Sequence, residues 1–110
     1  MKKVINGHLY DTDKATAIAT AWNGNNKNDF HYMEETLYQS PNKQFFIAGE
    51  GGAMSSYSRP AGNNNWSGGE DIRLISPKDA KEWLEDHQSI ISEDVPEIFE
   101  NWFPDYVKEG

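Results

Sequence analysis

The chain has 110 residues, 36% of them hydrophobic, with fourteen aromatics (Trp 4, Tyr 5, Phe 5), no cysteine and a net charge of −8. That length bounds one domain with one modest core, to which aromatics contribute large buried areas; the lack of cysteine excludes disulfides, thiolate catalysis and zinc-thiolate or iron–sulfur sites. The negative charge is uneven: residues 1–69 carry six acids and six bases, residues 70–110 twelve acids and four bases, a distribution that repels nucleic acid and attracts basic protein surfaces.

In chain order, Lys2 to Tyr10 predicts a small hairpin, with Val4-Ile5 and His8-Leu9-Tyr10 flanking the Asn6-Gly7 pair that suits a type I′ turn. The start, Met-Lys-Lys-Val-Ile-Asn-Gly, holds no apolar run of signal-peptide length, and no segment reaches the roughly 20 apolar residues of a membrane span. A cytoplasmic protein with no membrane partner is expected. From Asp13 to Trp22 the spacing of Ala15, Ile18, Ala19 and Trp22 predicts a helix, capped by Asp11 or Thr12 and ended by Gly24. Phe30 to Gln39 alternates as a strand, Ser40-Pro41-Asn42-Lys43 turns, and Gln44 to Ala48 returns as its antiparallel partner.

Residues 49–69 open with Gly49-Glu50-Gly51-Gly52 and close with Gly68-Gly69, marks of special backbone angles or of close approach. A short strand is expected around Met54–Tyr57, with an exposed loop around it. A strand over Asp71–Ile75 follows. Ser76-Pro77-Lys78-Asp79 then starts a helix to about His87, with Ala80, Trp83, Leu84 and His87 inward. A second helix, about Val95 to Phe103, turns Val95, Ile98, Phe99 and Trp102 inward, and the tail is expected to fray beyond Pro104. The sum is a single α+β domain over 1–110: a mainly antiparallel sheet of four or five strands packed by two or three helices, the C-terminal segment closing one edge. An open sheet edge also leaves room for a homodimer.

No catalytic constellation stands out. His8, His31 and His87 lack metal-ligand spacing, the glycine cluster lacks the Lys-Ser/Thr of a phosphate loop, and Ser55 and Ser56 have no nucleophile-elbow context. Glu34, Glu35, Glu50 and Asp71, with Glu70 nearby, would supply an acid/base pair or hold Mg²⁺ if they converged; strand carboxylates are more often simply solvated. No cofactor or metal is implied otherwise. Between Asp79 and Glu100 stand eight carboxylates and one Lys81. On the first helix Asp79, Glu82 and Asp86 share the face opposite the apolar stripe, at a neighbour spacing of about 5–6 Å. That resembles a run of phosphates, although an ordinary solvated face gives the same pattern. Trp66, in a loop without apolar periodicity, either packs back on the sheet or serves as a binding anchor.

Val4-Ile5-Asn6-Gly7 with Tyr10-Asp11-Thr12, then Glu34-Glu35-Thr36-Leu37-Tyr38, then Gly49-Glu50-Gly51-Gly52-Ala53 with Ser55 and Tyr57, then Gly68-Gly69-Glu70, Ile75, Ala80 and Trp83, resemble in this order a family of small, acidic, mostly uncharacterised proteins of bacterial phages, plasmids and integrated elements. The resemblance spans about residues 4–85. It implies an anti-defence role, most concretely a CRISPR–Cas inhibitor that binds a host effector nuclease and blocks nucleic-acid loading or target capture. It carries no catalytic residues over, and binding is favoured over enzymatic action. Asp79, Glu82, Asp86, Glu93, Asp94, Glu97 and Trp66 are then the expected contacts with the partner's basic surface, and nucleic acid itself is not a partner. The rivals are a small metal-dependent hydrolase or nuclease using Glu34, Glu35, Glu50 and Asp71 on guide RNA or a nucleotide signal, and a non-enzymatic regulatory adaptor of the mobile element.

Overall fold

Asn6 and Gly7 both take positive φ, 51° and 80°, and close the tight turn between β1 (Lys2–Ile5) and β2 (His8–Asp11), so that Val4 faces Leu9 across the hairpin. The computed structural model describes residues 1–110. After β2, the Asp11 carboxylate accepts the Asp13 N–H at 2.9 Å. The local hydrogen bond expected to cap a helix instead makes a turn.

Residues 13–22 correct the expected helix: the segment enters a sheet as β3 (Thr16–Trp22). Thr16, Ile18, Thr20 and Trp22 are β-branched or aromatic at every second position, which suits a pleated strand better than a helix. The helical spacing of Ile18 and Ala19 has another source. The register with the next strand slips between Ala17 and Ala19, a bulge that lets the adjacent Ile18 and Ala19 both be buried. Trp22, assigned to the inner stripe, is about half exposed.

β4 (Met33–Gln39) begins after a turn at residues 29–32, and β5 (Phe45–Gly51) continues past Ala48 through the first glycines. Met54–Tyr57 is a turn rather than the expected short strand: the Ser55 hydroxyl donates to the Gly52 carbonyl and accepts the Tyr57 N–H. A two-residue ribbon, β6 (Arg59–Pro60) with β7 (Trp66–Ser67), precedes β8 (Gly69–Leu74). β3, β4, β5 and β8 form one antiparallel sheet in the order β3-β4-β5-β8, and the architecture is α+β.

α1 (Pro77–Asp86) starts as expected: Ser76 accepts the Asp79 N–H at 3.0 Å and Pro77 occupies the first turn. A 3₁₀ turn over Gln88–Ile90 leads to α2 (Val95–Trp102), capped by Asp94. Both helices lie on one sheet face. Ala80, Trp83, Leu84, Val95, Ile98 and Phe99 bury against Ala19, Ala21, Leu37, Phe45 and Ile47, and each fully buried aliphatic chain stabilises the fold by about 1.5–3 kcal/mol. The opposite face is half covered: Tyr10 of the hairpin packs with Phe46, Ala48 and Ile72, its ring edge-on to Phe46.

The chain beyond α1 closes the β3 edge. Ala21 bridges Ile91, Ser92 N–H donates to the Thr20 carbonyl, and the Glu93 carboxylate accepts the Thr20 N–H at 2.8 Å. Past Pro104 the chain makes a turn that stacks Tyr106 on Phe99, and residues 107–110 follow exposed and without regular structure. No helix is long and apolar enough to cross a membrane.

Candidate functional site

Capping by Ser76 fixes where α1 begins, and the burial of Ala80, Trp83 and Leu84 fixes which way it faces. Asp79, Glu82 and Asp86 are left on the outer side, all exposed. Glu85, Glu93, Asp94, Glu97 and Glu100 are exposed as well. The molecule's ion pairs are Lys3–Asp71, Lys27–Glu50 and Arg73–Glu35, so none of the eight late carboxylates is neutralised from within. The one cation in this block is turned aside: Lys81 lies 4.6 Å from the Tyr106 ring centre and 5.5 Å from that of Phe103. The expected contact residues are not equivalent, however. Asp94 caps α2 by accepting the Glu97 N–H, and Glu93 holds the β3 edge and accepts from Ser92 Oγ. Asp79, Glu82 and Asp86 form no side-chain hydrogen bond that the fold depends on. Trp66, 60% exposed on β7 opposite Pro60, stands away from the sheet rather than packing back on it.

The four carboxylates that would have to converge for catalysis are divided by the sheet. Register places Glu34 beside Glu50 and Glu50 beside Glu70 on the face away from the helices, while Glu35, Gly49 and Asp71 line up on the other. Asp71 is tied to Lys3 at 2.6 Å, and that bond is the main cause of its lowered pKa. No three His, Asp or Glu side chains come together as a metal site requires.

Trp22, Glu34, Glu50 and Glu70 thus form one row across all four strands. Glu50 accepts the Tyr32 hydroxyl at 2.7 Å and has Lys27 at 3.7 Å. Burial, followed by that hydrogen bond, raises the Tyr32 phenol far above its ordinary range.

Glu35 is the buried exception, 6% exposed. Burial alone would raise its carboxyl. Hydrogen bonds from Tyr57 and Trp83, aided by the Arg73 charge, outweigh burial and hold it below the usual carboxylate range. Trp83 Nε1 donates to one oxygen at 3.1 Å; the Tyr57 hydroxyl and Arg73, the latter at 3.1 Å, donate to the other. Every polar side-chain atom buried here has a partner, so Glu35 acts as a joint between sheet, α1 and the 52–58 turn. Sequence reasoning missed this joint because its members lie 22 and 48 residues apart. The only local sign was Gly49, which leaves space for Tyr57.

His87 caps α1 and contacts the Trp83 carbonyl through Nδ1 at 2.7 Å, a structural position. Compared with protein-family models, curated proteins and solved structures, the chain matches none.

Proposed function

We propose that this protein acts by stoichiometric binding, presenting the outer carboxylates of α1 and α2 to a basic surface on another protein. Its role is anti-defence, in the cytoplasm of a bacterial host carrying a phage or mobile element. Most concretely it inhibits a CRISPR–Cas effector by occupying the surface that loads nucleic acid or captures the target. The observation that carries this reading is the face of Asp79, Glu82 and Asp86: exposed, free of salt bridges and of side-chain hydrogen bonds, on a capped helix. Such a face steers a cationic partner and competes with phosphates for it. The separation of Glu34 and Glu50 from Glu35 and Asp71 favours binding over hydrolysis.

The test is inhibition of effector cleavage by the purified protein. Inhibition is expected to saturate near one protein per effector and to fall at least about tenfold in Asp79→Lys/Glu82→Lys/Asp86→Lys, while the protein stays folded with at most about 1 kcal/mol lost to the lysine in the first turn of α1. Unchanged inhibition in that variant sinks the acidic-face mechanism. EDTA-sensitive turnover at substoichiometric protein points instead to a hydrolase, and affinity capture that enriches no defence protein points to an adaptor of the mobile element.

A further inference from the structure

The tail folds back and opens a groove of about 810 Å³ between the end of α1, α2 and residues 104–109. Ligand clefts commonly span roughly 300–1,000 Å³. Buried Val95 and Phe99 line it, Glu85 and Glu100 border it from the two helices, and Tyr106 and Val107 form the far wall. Glu109 adds a third carboxylate, against Lys108. Tyr106 anchors this wall: it stacks on Phe99 at 5.8 Å and 19°, with Lys81 over its ring. Val107 nevertheless leaves 56% of its surface in water.

Resting on the reading above that the partner is a basic protein, we infer that this groove receives a partner segment in which Lys or Arg residues flank one bulky aliphatic side chain. The aliphatic group lies against Val95, Phe99 and Val107; the flanking cations reach Glu85 and Glu100. Charge complementarity selects this occupant. Glu85, Glu100 and Glu109 outnumber the single Lys108 around an apolar floor, and none of the three is in a salt bridge, although Glu85 also faces the Tyr106 hydroxyl; this surround suits a cationic segment with an apolar centre, whereas an acidic segment would be repelled. A purely polar basic segment would leave the floor wet. Such an apolar anchor within a charged surround is how a few residues come to dominate an interface. The outer face of α1 governs encounter and the groove governs residence.

The experiment titrates the ¹⁵N-labelled full chain with a short synthetic peptide carrying one leucine flanked on each side by Arg-Lys. Saturable amide shifts are expected at Glu85, Val95, Glu100, Tyr106 and Val107. A control peptide with serine for leucine binds at least about fivefold more weakly. Glu85→Lys/Glu100→Lys abolishes the shifts, and Val107→Ser, a neutral change at an exposed position, weakens them without altering the melting curve. Shifts confined to Asp79, Glu82 and Asp86, indifference to leucine, or no saturable binding would overturn the proposal. So would shifts at the tail that depend on protein concentration without peptide, with a dimer in sedimentation, because a second copy would then fill the groove. The peptide needs no host effector. Intact groove binding without effector inhibition therefore discards the inhibitor reading alone, and effector inhibition retained in Glu85→Lys/Glu100→Lys discards the groove alone.

Discussion

Tyr57 places its hydroxyl where a side chain on Gly49 would begin, and from there it donates to the Glu35 carboxylate. Gly49 and Glu35 are cross-strand partners on β5 and β4, so an absent side chain on one strand admits the donor that satisfies a buried charge on the next. The glycine is required by close approach; its φ is ordinary for a strand. Gly49→Ala should therefore expel the Tyr57 ring and cost about 3 kcal/mol, part steric and part loss of a charge-assisted hydrogen bond. In a Tyr57→Ala background the same alanine should cost under about 1 kcal/mol, because the obstruction is gone. Urea unfolding of the four proteins measures this coupling. Additive costs would show that the two residues act independently.

Acid should weaken the same joint in a defined direction. With its pKa lowered in the folded state, Glu35 contributes stability that is complete above the ordinary carboxylate range and is lost as pH falls through the lowered folded value. Glu35→Gln should cost about 2–4 kcal/mol near neutrality, since the amide cannot accept from Trp83, Tyr57 and Arg73 together and leaves Arg73 without its counter-charge. The gap between parent and variant should narrow on acidification below about pH 4. Asp71 titrates in the same direction in both proteins, so the difference isolates Glu35. A gap that stays constant with pH would mean that packing, not charge, sets the cost.

Elements announced by neighbouring residues were legible in the sequence. Asn6-Gly7 specifies its turn, and Ser76-Pro77 with Asp79 specifies the start of α1, because the hydrogen bonds involved span a few residues. β3 was misread because apolar residues at helical spacing also describe a strand with one bulge. The deciding partners, Glu34–Gln39 on one side and Ile91–Glu93 on the other, are remote in sequence. For the same reason the glycines could be read as points of close approach, but not what approaches Gly49. The exposed face of Asp79, Glu82 and Asp86 was legible from periodicity alone, since helix geometry and the buried stripe fix it together. That Asp94 is a cap and Glu93 an edge clamp was not.

That distinction among the late carboxylates is measurable. Asp94→Ala should cost about 1 kcal/mol by exposing the first turn of α2, and Ser76→Ala should cost a similar amount at α1. Glu93→Ala should increase hydrogen exchange at the Thr20 amide, whose acceptor it is. Asp79→Ala, Glu82→Ala and Asp86→Ala should each stay within about 0.5 kcal/mol of the parent. Thermal melts of the six variants test the division. A marked loss of stability at Glu82 or Asp86 would give those residues a structural role and undercut their assignment to a partner.

The open sheet face carries an electrostatic cost of its own. Glu34, Glu50 and Glu70 stand side by side on three adjacent strands, and like charges directly opposite each other destabilise a sheet. Lys27 relieves Glu50 only weakly, being 76% exposed and 3.7 Å away. The backbone carbonyl of Glu70 accepts from Arg59, and this contact does not involve the residue's side chain. Glu70→Lys should therefore replace a repulsion across from Glu50 with an attraction and stabilise the protein by about 0.5 kcal/mol in dilute buffer. Since the groups face water, the gain should largely vanish near 1 M salt, where screening extends only about 3 Å. A gain that survives high salt would indicate a packing effect of the lysine stem, and no gain at low salt would mean that solvent and Tyr32 already relieve the row.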